Sequence, residues 1–284
     1  MQVNNQRRLT PIGSAIAGSS RPMVIAHRGA TRAAAPNSIA AFEAAIQLGV
    51  DAVELDVRLT ADGVPVVHHD ATARGTPVAR LSHQQLCLRR GSVPTLAEAV
   101  EVCAGRVGLD VEIKATGHER QVVEAALARV SRDDLMITSF IDSALAAVKQ
   151  IDPGLPCGLL IGPTRLRSRP QRFAFEWMWG CGADFIAAHQ LLAPPRRVRA
   201  SRIVRRDTGL LPRAARAGVA LVVWTVNRPD RLRRYLSDPR VAAVVTDIPE
   251  IALQIRDAAE APPEAVTRRS HRPFPGRVRA RLRR

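Results

Sequence analysis

The chain has 284 residues, a formal net charge of +16 and four cysteines. This length suits one enzyme-sized domain with a full hydrophobic core, and no apolar run approaches the roughly 20 residues that a membrane-spanning helix needs. The cysteines lack the short spacing of zinc or redox motifs, so they do not indicate a metal or disulfide site.

The positive charge is placed unevenly and divides the chain into three parts. We expect a disordered leader over 1–21, a folded domain over 22–256, and a disordered basic tail rich in arginine and proline over 257–284. Residues 267–284 hold eight arginines and no acidic residue. The tail could make weak contact with an anionic membrane or nucleic acid, or it could simply solubilise the protein. No obligate protein partner is indicated. The cytoplasm is the simplest location, with an extracellular one left open.

Short apolar segments alternate with helical patterns through the folded domain. The strand-like segments are 23–27, 53–60, 107–114, 135–140, 156–161, 184–189, 220–226 and 243–247, and the helical ones are 38–48, 95–103, 119–130, 143–151 and 229–236. Eight strands that alternate with helices predict a (β/α)8 TIM barrel, a fold of the α/β class. In such a barrel the carboxyl ends of the strands carry the active site.

Residues 51–70 predict a small β-hairpin at this active-site end. An alternation of apolar and polar residues over 53–60 is followed by Asp62-Gly63 and by a second strand over 64–69. The Asp-Gly dipeptide favours a two-residue turn, which fixes the register of the two strands.

The predicted register places particular side chains opposite each other. Asp56 is opposite His69, and Glu54 lies on the same face as Asp56. Because side chains alternate along a strand, His68 is expected on the far face beside Val57. A solvated polar face is the common alternative for such a hairpin. Two other predicted strands also end on ionisable residues, which favours a shared site.

Several motifs follow one another in a set order between residues 24 and 255. They are His27-Arg28-Gly29, Asn37-Ser38-Ile39-Ala40-Ala41-Phe42, Glu54-Leu55-Asp56, His69-Asp70, Val93-Pro94-Thr95-Leu96, Glu112-Ile113-Lys114, Ser139-Phe140, Trp224-Thr225-Val226-Asn227 and Thr246-Asp247-Ile248-Pro249. With this ordered set, the chain resembles the glycerophosphodiester phosphodiesterase family, whose members are (β/α)8 barrels.

The resemblance implies roles for seven residues. His27 and His69 would be the catalytic pair, Glu54, Asp56 and Glu112 would hold one divalent cation, and Arg28 and Lys114 would contact the phosphate.

Cleavage of a phosphodiester calls for these residue types on chemical grounds as well. The negative charge of the diester repels nucleophiles and must be neutralised. Three carboxylates suit Mg²⁺ or Ca²⁺, whereas zinc more often binds histidine or cysteine. Two imidazoles can take a proton from the attacking hydroxyl and protonate the departing alkoxide near neutral pH. The sequence leaves open which is the base, and whether water or a neighbouring substrate hydroxyl attacks.

Other residues have competing interpretations. Lys114 is one of only two lysines in the chain, which favours a specific role over a strand-end lysine extending into solvent. Trp224 could line the pocket for the alcohol portion of the substrate, or it could pack between the barrel and its helices. The aromatic residues within 171–180 are expected to pack a helix against the barrel, with a place at the active-site mouth as the alternative.

One residue departs from the family pattern. The family has a glutamate immediately before the asparagine of its second motif, and this chain has Pro36 before Asn37. Because the implied ligands and histidines are all present, we expect activity to persist, with altered metal affinity or altered geometry of the first loop.

These observations favour an enzyme. We expect hydrolysis of a small-molecule glycerophosphodiester to glycerol 3-phosphate and an alcohol. A phospholipase D-like or lyase activity on lysolipids at the same site is the close alternative. A non-catalytic barrel that binds anionic membrane or nucleic acid is the distant one, and loss of a metal carboxylate would have favoured it.

Overall fold

The computed structural model describes residues 11–13, 16, 21–163, 174–193 and 210–260. Its strands are β1 (Met23–His27), β2 (Ala52–Leu59), β3 (Pro65–Val67), β4 (Thr72–Ala73), β5 (Thr76–Pro77), β6 (Gly108–Ile113), β7 (Leu135–Ser139), β8 (Cys157–Ile161), β9 (Phe185–His189), β10 (Ala220–Trp224) and β11 (Ala243–Thr246). Its helices are α1 (Ile39–Leu48), α2 (His83–Arg90), α3 (Leu96–Cys103), α4 (Glu119–Leu127), α5 (Asp142–Ile151), α6 (Ala174–Gly180), α7 (Leu210–Arg216), α8 (Pro229–Leu236) and α9 (Pro249–Glu260).

Eight of the described strands form a closed parallel barrel. Their order is β1, β11, β10, β9, β8, β7, β6 and β2, and β1 pairs with β2 to close the ring. Strand β3 adds to β2 as an antiparallel neighbour. The predicted (β/α)8 fold is therefore confirmed, and each predicted strand begins and ends within two residues of an observed one.

Local sequence determines where the helices around the barrel begin and end. The Ser38 hydroxyl accepts a hydrogen bond from the Ala41 backbone N–H at the start of α1, and Gly49 ends this helix in a left-handed conformation. Thr95 and Glu98 form a reciprocal capping box at the start of α3. Helices α2, α7 and α9 are additional to the predicted ones.

Apolar side chains pack on both sides of the barrel wall. The outer layer, between the strands and the helices, includes Phe42 and Leu55. The inner layer includes Ile25, Met136 and Phe185, which fill the barrel. The barrel is therefore a packed core and not a pore, and a cavity lies at the carboxyl ends of the strands, where polar residues replace part of this filling.

Two residues of the expected leader belong to the inner layer. Ile12 is fully buried and Ile16 is 8% exposed. Ile12 packs over Gly108, the first residue of β6, where an added Cβ would lie 2.7 Å from the Ile12 Cδ1. The expectation of a disordered leader therefore does not hold at these two residues, because their side chains close the amino-terminal end of the barrel.

The hairpin between β2 and β3 differs from the predicted one. Val57 faces Val67, so Asp56 aligns with His68 and not with His69. The His68 backbone N–H accordingly donates to the Asp56 carbonyl at 2.9 Å. The predicted register is wrong by one residue, and so is the placement of His68 beside Val57. His69 lies beyond the end of β3 and reaches the cavity from the segment that follows.

The shift arises in the turn. The Gly63 N–H donates to the Thr60 carbonyl at 3.0 Å, and the Thr60 N–H donates to the Val64 carbonyl at 3.1 Å. Thr60 and Val64 therefore face each other across three residues instead of two. Gly63 has a φ of +77°, the left-handed conformation that ends a three-residue hairpin loop.

Strand β3 and the residues between it and α3 form a small unit with its own core. Strand β4 pairs antiparallel with β5, and Ser82 and Gln85 form a capping box at the start of α2. The buried side chains of this unit are Val66, Ala73, Val78, Leu81, Leu86 and Val93. The amino-acid pattern does not predict this unit, because two-residue strands are too short to show a periodic pattern.

The aromatic segment forms the predicted helix, α6. Phe175 is buried in the outer layer, and Trp177 packs against that layer from a partly buried position. Trp179 is 60% exposed. None of these three rings lines the active-site cavity, which supports the packing interpretation for them over a place at the mouth. Phe173, the fourth aromatic residue of this segment, lies outside the described residues.

Part of the predicted domain organisation lies outside the described residues. Helix α9 continues to Glu260, so regular structure extends beyond the expected boundary at residue 256. Residues 261–284 are outside the described part of the chain, and contact of the tail with anionic membrane or nucleic acid stays a prediction. Among the described helices, none has the length and apolar character required to cross a bilayer.

We predict that the stability of the protein depends on Gly29, in the loop after β1. A Cβ on Gly29, at φ +86°, would lie 2.7 Å from the Ala41 carbonyl carbon, whereas one on Gly63 would meet no atom within 4 Å. Gly29→Ala and Gly63→Ala should each lose about 1–2 kcal/mol to left-handed backbone, and Gly29→Ala a further ~1–3 kcal/mol to overpacking. Urea denaturation measures both. Equal losses would show that α1 moves aside without cost.

Candidate active site

A cavity of about 210 Å³ opens at the carboxyl ends of the barrel strands. Its wall has a polar half and an apolar half. The polar half consists of His27, Arg28, Glu54, His69, Asp110, Glu112, Lys114 and Thr138, and the apolar half includes Phe140, Leu160, Ala187, Val222, Trp224 and Val245. The polar residues come from β1, β2, β6 and β7 and the segments that follow β1, β3 and β6, whereas most of the apolar residues come from β8 to β11.

Strand register brings three carboxyl groups together. Asp56 on β2 is the register partner of Glu112 on β6, and Glu54 is the partner of His27 on β1. One carboxylate oxygen from each of Glu54, Asp56 and Glu112 lies within 4.8 Å of the others, and all three residues are buried. The implied metal ligands therefore form one compact group of oxygen donors that could hold a metal ion.

The charges of this group are only partly compensated. Burial raises the pKa of Glu54 well above its usual range, and the neighbouring Asp56 carboxylate raises it further. Burial also raises the pKa of Glu112, although the Lys114 ammonium opposes this effect. At Asp56 the effect of burial is outweighed by Lys114 and Arg28, so its pKa is lowered overall. Full ionisation of all three carboxyl groups is therefore disfavoured, although Lys114 and Arg28 lie beside them.

Lys114 is placed inside the site. Its Nζ lies 2.8 Å from Asp56 Oδ1 and 2.6 Å from Glu112 Oε1, and its side chain is 11% exposed. Burial lowers the pKa of Lys114, but the two carboxylates outweigh burial and raise the pKa overall. The alternative of a lysine that extends into solvent is therefore wrong.

Arg28 contacts two of the carboxylates in different ways. Its backbone N–H donates to Glu54 Oε2 at 2.9 Å, and its Nε lies 3.0 Å from Asp56 Oδ2. The backbone at Arg28 has a φ of +59°, which a residue with a side chain rarely adopts. This conformation turns both the amide and the guanidinium of one residue toward the acidic group.

The loop that contains the unusual proline keeps its contact with the site. Asn37 has a φ of +58°, and its Nδ2 donates to Asp56 Oδ2 at 2.7 Å. Its backbone N–H donates to the Arg28 carbonyl at 3.0 Å. Pro36 is exposed. Pro36, where the resemblance implies a glutamate, thus lies on the surface of the loop, while Asn37 still contacts Asp56.

The two implied catalytic histidines line the same cavity, and each has a carboxylate at Nδ1. His27 Nδ1 lies 2.6 Å from Asp247 Oδ1, and His27 Nε2 is 3.9 Å from Glu54 Oε2. His69 Nδ1 lies 2.9 Å from Asp70 Oδ1. The side chain of His27 is 21% exposed and that of His69 is 44% exposed, so His27 is the more enclosed of the two.

Trp224 lies in the cavity wall within a small aromatic cluster. Its indole N–H donates to the Ala187 carbonyl at 2.8 Å. Phe140 and His189 both meet its ring edge to face, with centroids 5.4 and 5.1 Å away. These contacts fix the ring of Trp224 in the wall, which supports the interpretation that it lines the pocket over packing between barrel and helices.

Seven of the eight predicted site residues line the cavity. They are His27, Arg28, Glu54, His69, Glu112, Lys114 and Trp224. The eighth, Asp56, is fully buried behind them and pairs with Arg28 and Lys114. The fold therefore brings together the side chains that the sequence motifs indicate.

Several polar residues of the site, among them Asp110, Asn227 and Asp247, were not assigned a role from the sequence. Asp110 precedes Glu112 by two positions and so points the same way, a signal that strand alternation offered. Asn227 and Asp247 belong to the ordered motifs, but the contacts of Asp247 with Asn227 and with His27 become evident only in three dimensions.

The fold and the cavity define a class of protein before any comparison. This (β/α)8 barrel places imidazoles, carboxylates and cationic side chains together at its open end. Such a site is typical of an enzyme that acts on an anionic substrate. The comparisons identify the class more narrowly. The model of the glycerophosphoryl diester phosphodiesterase family matches residues 27–251, and the chain belongs to this family. It is an enzyme of the phosphoric diester hydrolase type.

Relatives and solved structures agree with this assignment. A glycerophosphodiester phosphodiesterase of Caldanaerobacter subterraneus subsp. tengcongensis is 27% identical over 262 residues, which cover 83% of this chain and 98% of the relative. The crystal structure of a glycerophosphodiester phosphodiesterase from Thermotoga maritima matches with a TM-score of 0.64 and 25% identity, covering 83% and 98% of the two chains. An Oleispira antarctica phosphodiesterase, solved with its product sn-glycerol-3-phosphate, matches with a TM-score of 0.66 and 24% identity over 84% and 97%.

The buried carboxyl group of Asp110 makes the stability of the folded chain depend on pH. Burial raises its pKa from the ordinary 3.8 to about 7, against the hydrogen bond that Thr138 donates to Oδ1 at 2.7 Å. Between these values the folded chain holds a proton that the unfolded chain has lost, so this group makes stability fall as pH rises from about 4 to above 7.

Asp110→Asn removes that dependence. With chelator present, we expect the variant to have the higher free energy of unfolding at pH 8, by up to on the order of 4 kcal/mol, and the difference to shrink toward pH 4. Urea denaturation across this pH range measures it. A difference that does not change with pH would contradict the assigned protonation.

Proposed function

We propose that this enzyme hydrolyses glycerophosphodiesters to glycerol 3-phosphate and an alcohol by metal-assisted acid–base catalysis. The observation that carries the proposal is the convergence of His27, His69, two cationic side chains and the buried cluster of three carboxylates on one cavity. The Oleispira antarctica phosphodiesterase, whose product is sn-glycerol-3-phosphate, supports the same substrate class.

The carboxylates Glu54, Asp56 and Glu112 would hold the divalent cation. Their donor atoms are all carboxylate oxygens, which suit a hard ion such as Mg²⁺ or Ca²⁺. The raised pKa of the buried Glu54 carboxyl also fits a site that is completed by positive charge. A bound cation would supply charge neutralisation at the phosphoryl oxygens.

Arg28 and Lys114 would bind the phosphate directly. Both lie in the cavity wall beside the three carboxylates, and the Arg28 side chain is 24% exposed. The planar guanidinium can donate two hydrogen bonds to phosphoryl oxygens, and the ammonium provides a compact charge. Together they would orient the diester and offset its charge.

His27 and His69 would transfer the protons. Asp247 and Asp70 occupy their Nδ1 atoms, so Nε2 is the atom of each ring that is left for the substrate. One imidazole would accept the proton of the attacking hydroxyl at Nε2. The other would donate its Nε2 proton to the oxygen of the departing alcohol. The uncharged part of the substrate would pack on Trp224 in the apolar half of the cavity.

A lysolipid is the second candidate substrate. The apolar half of the cavity favours it, because Phe140 is 38% exposed at the mouth and Trp224 lies next to it. The same proton transfers would then release the head group as in a phospholipase D-type reaction, or an attacking substrate hydroxyl would leave a cyclic phosphate.

Removal of one histidine tests the catalytic pair. We measure glycerol 3-phosphate release from glycerophosphocholine with Mg²⁺, Ca²⁺ or chelator, and we expect His69→Ala to lower kcat by roughly 10²–10⁴-fold because one proton transfer is lost. His83→Ala is the matched control, since His83 binds the Val93 carbonyl away from the cavity. Retained activity in His69→Ala would contradict the pair. Activity of the wild type on lysolipids alone would select the second substrate.

Removal of one carboxylate tests the metal site. Glu54→Gln keeps the size of the side chain but removes a charged oxygen ligand, so we expect calorimetric binding of Mg²⁺ or Ca²⁺ to weaken at least about tenfold. Glu43→Gln changes an exposed glutamate that pairs with Arg106, and it should bind the cation as the wild type does. Equal affinity in the two variants would remove Glu54 from the proposed ligands.

A further inference from the structure

The ring of His27 is fixed by side chains that the proposed reaction does not consume. Its Nδ1 lies 2.6 Å from Oδ1 of Asp247, the residue that follows β11. The Asn227 side-chain amide donates a hydrogen bond to the other oxygen of Asp247. The Asp247 backbone N–H in turn donates to Asn227 Oδ1 at 2.9 Å. The Asn227 side chain thus forms hydrogen bonds with both the side chain and the backbone of Asp247.

The charge state of Asp247 determines which nitrogen of His27 carries the proton. Burial raises the pKa of Asp247, but the hydrogen bonds from His27 and Asn227 outweigh this effect and lower the pKa overall. A carboxylate only accepts hydrogen bonds, so the Nδ1 of His27 is a donor. In the neutral ring the lone pair is therefore on Nε2, which is the atom that lies 3.9 Å from Glu54 Oε2.

The contacts are anchored in the barrel wall. Strands β10, β11 and β1 are consecutive around the barrel, and the segments at their carboxyl ends contribute Asn227, Asp247 and His27. The Val226 backbone N–H donates to the Val245 carbonyl at 2.9 Å, which ties the segment carrying Asn227 to β11. The ring is therefore oriented by the barrel itself and not by a separate loop.

The other histidine has a weaker version of the same contact. Asp70 is the sequence neighbour of His69, its side chain is 54% exposed, and Arg90 lies 3.8 Å from its second oxygen. Within the described residues, no side-chain amide holds Asp70 as Asn227 holds Asp247. The two histidines thus provide an internal comparison of a firmly held and a loosely held carboxylate.

We propose that Asp247, held by Asn227, is a positioning residue that keeps His27 in the tautomer and orientation in which Nε2 faces the reaction centre. The inference rests on the proposed function, in which His27 transfers a proton. Asp247 makes no contact with substrate in this role, and its effect passes through His27.

Kinetics of matched variants provide the first measurement. Asp247→Asn preserves size but presents an amide that can donate to Nδ1, which favours the wrong tautomer. We expect kcat to fall roughly 10²–10⁴-fold, as when the carboxylate behind a catalytic histidine is lost, with KM within about threefold of the wild type. Asp70→Asn should lose less than about tenfold. Asn227→Ala keeps the carboxylate without its holder and should fall between the two.

The tautomer provides the second measurement, and it does not depend on turnover. In ¹⁵N-histidine-labelled protein with Mg²⁺, long-range ¹H–¹⁵N spectra should show His27 protonated at Nδ1 in the wild type. Asp247→Asn should shift the proton to Nε2 of His27 and leave the His69 signals in place. Asp70→Asn should instead change the His69 signals and leave the His27 signals in place. Signals are assigned from His27→Gln and His69→Gln, and thermal melting checks that each variant is folded.

Two results would overturn the inference: a His27 tautomer that is unchanged in Asp247→Asn, or a folded Asp247→Asn enzyme with wild-type kcat. If Asp247→Asn does not fold, Asn227→Ala decides, and a wild-type kcat and tautomer there would also overturn it. A His27→Ala enzyme with full activity would instead refute the proposed catalytic pair. In that case, an Nδ1-protonated His27 that changes in Asp247→Asn would still support the positioning contact.

Discussion

The crowding of four carboxyl groups is the constraint on which the open end of the barrel depends. Glu54, Asp56, Asp110 and Glu112 are each at most 7% exposed, and the register of β2 against β6 places them side by side. Ionised carboxylates this close repel each other strongly in a poorly solvated site. Such an arrangement persists only if cations, donors and retained protons offset the repulsion.

Much of the local structure can be understood as that compensation. Lys114 bridges the ends of β2 and β6, and the left-handed backbone at Arg28 aims two donors at the same group. Asn37, also left-handed, donates a further hydrogen bond from the loop before α1. The compensation is uneven, because the pKa of Asp56 is lowered while those of Glu54 and Asp110 are raised. The imbalance lies on the cavity side, where an added cation would be most strongly attracted.

The sequence predicted the barrel and most of the site for a physical reason. Buried strands and amphipathic helices leave periodic patterns, and residues at strand ends must converge once the strands are parallel. Contacts that depend on whether a loop has two or three residues leave no such periodic pattern in the sequence. Asp62-Gly63 fits both a two-residue and a three-residue loop, and only the hydrogen bonds that pair Thr60 with Val64 distinguish them. The burial of Ile12 and Ile16 likewise leaves no periodic pattern in the sequence, because these side chains pack against the inner layer of the barrel.

His69 lines the cavity although the predicted register of its hairpin is wrong. Pleating would assign it to the face opposite His68, but β3 ends at Val67, so the alternation no longer applies at His69. The Arg58 side chain instead donates to the His69 carbonyl at 2.9 Å and fixes the segment from its backbone. His27, by contrast, is the last residue of β1 and is held by its ring. One wall of the site is therefore set by strand geometry and the other by a loop contact, and only strand geometry leaves a pattern that can be read from a single sequence.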